Sequence, residues 1–344
     1  MNNNKKQSLV DKYRPTNINN IIGHKKITHI LNTFIKNKCF KHLLLYGPPG
    51  VGKTSTILAC ARKLYGPEFE NMYIELNGSD ERGIDVIREN VKNYVSKKQL
   101  AITLMDSKNV KQTTSMKLVI LDECDNMTEN AQYALKSVIH NNTATTRFCL
   151  ICNYETKIIE DLKSICIPLL FSPLTASQHI PYLTDIAKNE NINIDINGIN
   201  AIINISKGDM RSSINILQQL QTTIYNNDNI DDKNNLISED KIYDLLGKLK
   251  TNIKNEMLKY IFDNTISLHE SIKKVTQIKI EYNIEPIYIL NEVVEYINSS
   301  IHTFNNTNLI KLYVSLGKIQ QFQTSSYNED IFIANIISTV RLCK

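Results

Sequence analysis

The 344-residue chain lacks the features that mark a membrane or a secreted protein. No apolar run approaches the roughly 20 residues that a membrane-spanning helix needs. The N-terminal stretch MNNNKKQSLVDKYRP has no apolar core of a signal peptide. Seven irregularly spaced cysteines do not form the framework of a disulfide-bonded domain. These absences predict an intracellular protein with no membrane partner.

Strong charge and metal-binding patterns are also lacking. The formal net charge is only +5, so a surface that binds nucleic acid would have to be local. Cys149 and Cys152 form a C-x-x-C pair, but this pair lies in an apolar, strand-like run and has no second pair to complete a zinc site. We therefore expect both thiols to be packed in the core.

A glycine-rich loop stands out against this background. Residues 43–55 (LLLYGPPGVGKTS) place G-x-x-x-x-G-K-T directly after an apolar run. Backbone N–H groups of such a loop surround phosphate oxygens, its lysine reaches the β- and γ-phosphates, and its threonine binds Mg²⁺. Residues 54–64 predict a helix whose N-terminus adds its dipole to this anion site. Strand, loop and helix follow in the required order, which favours a nucleotide site over a chance glycine-rich turn. The predicted nucleotide-binding residues of the loop are Gly47, Gly50, Val51, Gly52, Lys53, Thr54 and Ser55.

A pair of carboxylates supplies the second part of this site. Residues 117–125 (KLVILDECD) are an apolar run that ends in Asp122 and Glu123. Acidic residues after a strand are, by themselves, equally typical of a solvated turn or a helix cap. Downstream of a phosphate-binding loop they favour a nucleoside triphosphatase, in which Asp122 holds Mg²⁺ and Glu123 polarises the attacking water.

The order of patterns along the chain predicts an α/β domain followed by helices. Apolar strand-like segments at 42–46, 73–76, 117–122, 147–152 and 167–171 alternate with helical stretches, which indicates a mostly parallel sheet. We expect a nucleotide-binding core over 1–172, a helical lid over 173–235 and an all-α domain over 236–344. The polar residues 99–116 suggest a loop or an insertion, and 226–235 a linker. In the last part, apolar residues recur at helical spacing, for instance Ile287, Leu290, Val294, Ile297 and Ile301, which predicts an all-helical region.

Six segments together resemble one family, the small subunits of replication factor C, the clamp loader within the AAA+ ATPases. They are VDKYRP (10–15), LLLYGPPGVGKTSTILACA (43–61), LNGSDERGIDVIR (76–88), KLVILDECDNMTENAQYALKSVI (117–139), TRFCLICNYETKII (146–159) and GDMRSSINILQ (208–218). The likeness covers nearly the whole chain and is strongest for the subunit type numbered 3 in yeast and 5 in vertebrates. It implies an AAA+ P-loop core, a helical lid, and an all-α collar that assembles a five-subunit ring.

The resemblance assigns further nucleotide contacts. It implies that Val10, Tyr13, Arg14 and Ile22 enclose adenine and ribose. Asn153 corresponds to sensor 1, which positions the lytic water, although an asparagine in an ordinary turn at the end of a strand remains an alternative. Arg211 corresponds to sensor 2, which reaches the γ-phosphate from the lid. The alternative is that Arg211 is simply exposed to solvent. The positive end of the helix dipole does not stabilise a cation near a helix N-terminus, so a bound phosphate would explain the position better.

DNA contacts are predicted around an amphipathic helix at residues 84–95. Ile84, Ile87, Val91 and Val95 form its apolar side, while Arg88 and Lys92 lie one turn apart on another face. An ordinary solvated face is the alternative. In the family, the corresponding helices contact the DNA phosphate backbone, which requires no base-reading residues. The candidate DNA-binding residues are Arg82, Arg88, Lys92 and Lys136.

One position departs from the family pattern. Small subunits carry Ser-Arg-Cys before the last core strand, and its arginine enters the neighbouring subunit's ATP site, whereas this chain has Ser164-Ile165-Cys166. The resemblance otherwise implies a nuclear ATPase, with ATP and Mg²⁺ as cofactors. It would act with the other subunits of a hetero-pentamer to open the sliding clamp and load it on primer–template DNA during replication and repair. Two alternatives stay open: an ATP-occupied structural subunit with weak hydrolysis at the neighbouring site, and another AAA+ DNA motor such as a branch-migration helicase.

Overall fold

The computed structural model describes two compact units, Met1–Glu239 and Asp240–Lys344. The residues described are 8–37, 39–79, 89, 91, 93–95, 116–226, 236–303, 306–321 and 328–343. None of the helices in these ranges has both the length and the apolar character needed to cross a membrane.

A five-stranded sheet forms the centre of the first unit. Its strands are β1 (Leu43–Tyr46), β2 (Tyr73–Asn77), β3 (Lys117–Asp122), β4 (Thr146–Cys152) and β5 (Ile167–Leu170). They lie in the order β2-β3-β4-β1-β5, and all neighbouring pairs are parallel. The near-continuous apolar sequences of β1, β3 and β4 follow from burial on both faces of a parallel sheet. The predicted strands and the parallel arrangement are confirmed.

Helices cover the two faces of this sheet. The helices before and among the strands are α1 (Leu9–Lys12), α2 (Lys25–Lys36), α3 (Lys53–Tyr65), α4 (Phe69–Met72), α5 (Glu129–Asn142) and α6 (Glu160–Ile165). On one face, Leu31 of α2 and Ile57 of α3 share a core with Leu45. On the other, Leu135 of α5 and Leu162 of α6 share a core with neighbouring strand residues. The three-layer architecture therefore matches the predicted α/β fold class.

The C-x-x-C pair is divided between these two cores. Cys149 belongs to the core on the α3 side and Cys152 to the core on the α5 side, and each is at most 1% exposed. Residues three apart on a strand point to opposite faces, so the two thiols cannot bind one metal ion. Burial raises the pKa of the Cys152 thiol to about 12. The prediction of buried packing is confirmed.

The β5 edge of the sheet contains a proline. Ile167 donates its N–H to the carbonyl of His42, and Phe171 donates to the carbonyl of Tyr46. Successive residues of a strand direct their N–H groups to opposite sides, so Ile167 and Phe171 donate to the same neighbouring strand. Pro168 therefore occupies a position whose nitrogen faces the open edge, where its missing N–H costs no ladder hydrogen bond.

The region predicted as a lid contains α7 (Ala176–Asn189), α8 (Ile196–Ser206) and α9 (Met210–Asn226), in agreement with the helical pattern, and these three helices are called the lid below. The side chain of Asp195 accepts a 2.6 Å hydrogen bond from Gly198 N–H and caps α8. Asp209 caps α9 in the same way, through a 3.0 Å bond from Ser212 N–H. These caps fix where the lid helices begin, and the second one places Arg211 in the first turn of α9.

The secondary structure described in the second unit is all helical. Its helices are α10 (Glu239–Leu245), which begins at the unit boundary, α11 (Thr251–Phe262), α12 (Leu268–Glu281), α13 (Pro286–Ser299), α14 (Asn306–Gln321) and α15 (Glu329–Cys343). Leu290 and Ile297 lie in its core, and Ile287 and Val294 pack against that core. The helical spacing in the sequence extends to Ile301, but α13 ends at Ser299, and Ile301 is 41% exposed.

Three other predicted segments lie largely outside the described residues. They are the helix at 84–95, the insertion at 99–116 and the linker at 226–235. Within the first, Glu89, Val91 and residues 93–95 are helical. Val91 is buried in the core on the α5 side of the sheet, and Val95 packs against it, in agreement with an apolar face toward the sheet.

Candidate nucleotide-binding site

A cavity of about 400 Å³ lies at the carboxyl ends of β1, β3 and β4. Its volume is typical of a small-molecule site, and its place at this edge of a parallel sheet is where α/β proteins bind ligands. Because β4 lies between β3 and β1, the segments that follow the three strands meet there. The predicted site residues that line the cavity are Val10, Tyr13, Arg14, Ile22, Gly50, Val51, Gly52, Lys53, Thr54, Ser55, Asp122, Glu123, Asn153 and Arg211.

Two glycines of the phosphate-binding loop have no room for a side chain. Gly47 has φ 138°, and a Cβ there would lie 2.0 Å from the carbonyl oxygen of Phe171. Gly50 has φ 68°, and a Cβ there would lie 1.6 Å from Asp209 Oδ1. Only glycine combines these conformations with such close approach. Gly47 is not among the cavity-lining residues and contributes its carbonyl to the lysine contact described next.

Lys53 holds the centre of the loop together. Its ammonium group, in a residue only 8% exposed, donates to Gly47 O at 2.6 Å, Pro48 O at 2.8 Å and Asn153 Oδ1 at 2.9 Å. Burial lowers the pKa of Lys53, and nearby Asp122 opposes that shift. The N-terminus of α3 beside it has no side-chain cap and no acidic residue in its first turn. Both features suit an anion, because helix N-termini and buried cations attract phosphate.

Thr54 and Asp122 form an oxygen pair next to Lys53. The Thr54 hydroxyl donates to Asp122 Oδ2 at 2.7 Å. Magnesium prefers such oxygen ligands and commonly binds through one or two side chains while keeping waters and phosphate oxygens. The described residues contain no group of three or more His, Cys, Asp or Glu side chains that could hold a metal ion by themselves. These two residues therefore fit Mg²⁺.

Glu123 is held in an uncommon backbone conformation after β3. Its φ of 54° is left-handed, which costs a non-glycine residue about 1 kcal/mol or more. Its N–H donates to Asp122 Oδ1 at 2.8 Å, and its Oε2 accepts from Asn126 Nδ2 at 3.2 Å. This turn after β3 places Glu123 in the cavity wall beside Asp122.

Asp125 is a site residue that our sequence reasoning missed. It is 8% exposed, and its Oδ2 accepts from the N–H groups of Asn153 at 3.2 Å and Tyr154 at 3.3 Å. It therefore fixes the backbone turn that carries Asn153 toward Lys53. Asp125 is the second aspartate of the D-E-C-D segment, but the sequence does not indicate its partner, Asn153, which lies 28 residues away.

The N-terminal segment and the lid complete the walls. Arg14 Nε donates to Ser55 Oγ at 3.3 Å, which joins the N-terminal segment to α3. The N–H of Met210, at the start of α9, donates to Gly50 O at 3.2 Å, so the lid contacts the phosphate loop directly. Arg211 lies close enough to Lys53 for its charge to lower the pKa of that lysine. Lining residues that the sequence did not suggest include Leu174, Tyr182, Met210 and Ile214.

Comparison with known proteins agrees with this geometry. Residues 43–171 match the family model described as "ATPase family associated with various cellular activities (AAA)". Replication factor C subunit 5 of Homo sapiens is 35% identical over 97% of this chain and 92% of its own length. Replication factor C subunit 3 of Schizosaccharomyces pombe is 37% identical over 92% of this chain and 88% of its own length. The replication factor C small subunit of Methanocella arvoryzae is 37% identical over 82% of this chain and 81% of its own length. This chain belongs to the replication factor C family.

A solved structure supports the fold but adds nothing to function. The Thermotoga maritima RuvB Holliday junction branch migration motor has a TM-score of 0.52, with 16% identity over 86% of this chain and 92% of that one. Such low identity shows a shared fold alone. The higher identity to replication factor C proteins therefore favours the clamp-loader interpretation over a branch-migration helicase.

The position at which the family resemblance predicts a trans-acting arginine is apolar here. Ile165 is the last residue of α6 and is 36% exposed. Lys163 pairs with Glu160 at 2.9 Å. Arg147, the nearest arginine in sequence, donates to the carbonyls of Phe40 and Thr146 at 2.7 and 3.1 Å. Lys163 and Arg147 are therefore both engaged within this chain.

Among the candidate DNA-binding residues, only Lys136 is described. Arg82, Arg88 and Lys92 lie outside the described residues. Lys136, on α5, pairs with Asp161 at 2.6 Å, with side chains 41% and 50% exposed. Such exposed pairs contribute little stability, so a DNA phosphate could compete with Asp161 for this lysine.

Proposed function

We propose that this chain is an ATP-binding and ATP-hydrolysing subunit of a nuclear, hetero-pentameric clamp loader. Together with the other replication factor C subunits, it would open a sliding clamp and place it on primer–template DNA during replication and repair. The observation that carries this proposal is the joined set of Lys53, Thr54, Asp122 and Asn153, found in a chain whose relatives are replication factor C subunits along nearly their whole length.

Each residue of the set has a chemical role in this proposal. Lys53 and the N-terminus of α3 hold the phosphates. Thr54 and Asp122 would hold Mg²⁺, which neutralises phosphate charge when bound. Glu123 accepts a hydrogen bond from the attacking water, and Asn153 fixes the position of that water. Arg211 reaches the γ-phosphate from the first turn of α9, and Val10, Tyr13, Arg14 and Ile22 enclose the base and ribose.

The remaining parts of the chain would provide partner surfaces. We assign residues 1–172 to the AAA+ core, 173–235 to the lid and 236–344 to a collar that assembles the ring. The separate apolar core of the second unit supports an independently packed collar. Arg82, Arg88, Lys92 and Lys136 would contact the DNA backbone without reading bases.

Ile165 favours a second function for the interface that this chain forms with one neighbour. A trans-acting arginine contributes about 10³–10⁵ in rate to phosphoryl transfer, and isoleucine has no charge and no donor. The neighbouring subunit supplies the phosphate-binding loop of that site, so it would still bind its nucleotide. This interface would then act as an ATP-occupied structural joint, while the intact Glu123 keeps the chain's own site active.

Replacement of Lys53 tests the proposal in the reconstituted complex. Lys53→Ala should weaken binding of a non-hydrolysable ATP analogue about 10- to 150-fold, because a hydrogen bond to a charged group contributes about 1.5–3 kcal/mol. It should also reduce clamp loading. Lys63→Ala is the matched control, since Lys63 lies on the same helix but is exposed and donates to Asn32 Oδ1. Failure of the wild-type chain to co-purify with the other subunits, or unchanged ATP affinity in Lys53→Ala, would contradict the proposal.

A further inference from the structure

The segment that lines one wall of the cavity is attached to the lid. This N-terminal segment comprises residues 8–14 and includes α1. Leu9 N–H donates to Gln218 Oε1 of α9 at 3.0 Å, and the Tyr182 hydroxyl of α7 donates to Tyr13 O at 2.6 Å. Toward the core, Arg14 Nε donates to Ser55 Oγ at 3.3 Å. The shorter contacts thus join the segment to the lid.

Glu190 makes the strongest of these attachments. It immediately follows α7, and its Oε1 accepts from the Tyr13 hydroxyl at 2.6 Å and from Lys12 Nζ at 2.7 Å. The Glu190 side chain is 11% exposed, whereas that of Lys12 is 51% exposed. Hydrogen bonds to an ionised group in a shielded position are stronger than those between neutral groups, while an exposed ion pair contributes little. The bond to Tyr13 therefore matters more than the bond to Lys12.

The two groups stay in the required protonation states at neutral pH. The donors Lys12 and Tyr13 lower the pKa of Glu190, so the carboxylate remains charged. Burial, and then the adjacent Glu190, raise the pKa of Tyr13 to about 12, so its hydroxyl keeps the proton that it donates. The contact is consequently a charged acceptor with a neutral donor throughout the physiological range.

We infer that Glu190 is a positioning residue for nucleotide affinity, because it fixes Tyr13 against the cavity while standing outside the cavity wall itself. Tyr13 lines the cavity, and its hydroxyl donates to Glu190, which is not a lining residue. Without Glu190, the Tyr13 ring would sample other orientations, and apparent affinity falls with the fraction of molecules that are competent to bind. This inference rests on the proposed function, in which Tyr13 faces the base and ribose.

Two probes separate this role from general destabilisation in the full-length chain. ATP carries base, ribose and phosphates, whereas inorganic tripolyphosphate carries phosphates alone. In equilibrium binding with Mg²⁺, Glu190→Ala should weaken ATP about tenfold and leave tripolyphosphate unchanged. Tyr13→Phe should weaken ATP binding to a similar extent. The double variant should bind ATP no more weakly than either single variant, because both substitutions remove the same hydrogen bond. Glu190→Gln, which keeps an acceptor for the hydroxyl, should restore part of the affinity.

Glu160→Ala is the matched control, because it removes a carboxylate from an exposed ion pair with Lys163, away from the cavity. It should bind both probes like the wild type. Unchanged ATP affinity in Glu190→Ala, or equal losses for ATP and tripolyphosphate, would overturn the positioning role while leaving the nucleotide site intact. A wild-type chain that binds neither probe would overturn both this inference and the proposed function.

Discussion

Replacing Gly50 by alanine should loosen the lid from the phosphate-binding loop. The φ of 68° costs an alanine about 1–2 kcal/mol in the left-handed region. The new Cβ would also lie 1.6 Å from Asp209 Oδ1, so the aspartate that caps α9 must move. Overpacking of this kind costs about 1–3 kcal/mol. We therefore expect the first unit to lose about 2–5 kcal/mol of unfolding free energy and to bind ATP more weakly.

A double-variant cycle identifies the clash as the cause. Asp209→Ala alone removes the cap and should cost about 1 kcal/mol. In Gly50→Ala/Asp209→Ala the clash is absent. The double variant should therefore lose about 1–3 kcal/mol less unfolding free energy than the sum of the losses in the two single variants. Urea unfolding followed by circular dichroism, together with ATP binding, measures both effects. Gly247→Ala is the control, since Gly247 has φ 60° but a Cβ there would meet no atom within 4 Å; it should leave ATP affinity unchanged. Costs that add within about 0.5 kcal/mol would refute the reasoning.

Two further predictions concern the partners of the chain. Replacing Arg88 and Lys92 by alanine should weaken primer–template binding equally for unrelated DNA sequences. Each lost phosphate contact should reduce the slope of log K against log salt by about 0.9. An unchanged slope would show that the two residues belong to an ordinary solvated face. Ile165→Arg should raise the total ATPase activity of the reassembled complex, and Ile165→Lys serves as its control for charge without the planar donor group. Rapid hydrolysis at the neighbour's site in the wild-type complex, measured with all other sites disabled, would contradict the second prediction.

Local patterns were sufficient for the sheet and the phosphate site. The central strands β1, β3 and β4 are largely apolar runs of four to seven residues, buried on both faces of the sheet, so their sequences indicate strands without reference to a partner. The phosphate loop is equally local as a motif, because the order of Gly47, Gly52, Lys53 and Thr54 along one short segment is enough to recognise it. Thr54 and Asp122 were placed together from motif order alone, and they are hydrogen-bonded.

Contacts between distant segments could not be predicted in this way. Asp209 lies against Gly50, and Glu190 against Tyr13, across 177 residues in the latter pair. Neither acidic residue belongs to a periodic pattern that would indicate its partner. The pairing of Lys136 with Asp161 was missed for the same reason. The helical spacing continues in the sequence to Ile301, past the point where α13 ends.

The proline of β5 has a consequence for how copies of this protein meet. An exposed strand edge offers a row of free N–H and C=O groups that can recruit a strand from another molecule and start aggregation. At the β5 edge that row is interrupted, because Pro168 occupies an outward-facing position and has no hydrogen to donate. A second chain could not continue the sheet there with a regular ladder. The interrupted edge therefore discourages the open-ended addition of strands from other copies of the chain.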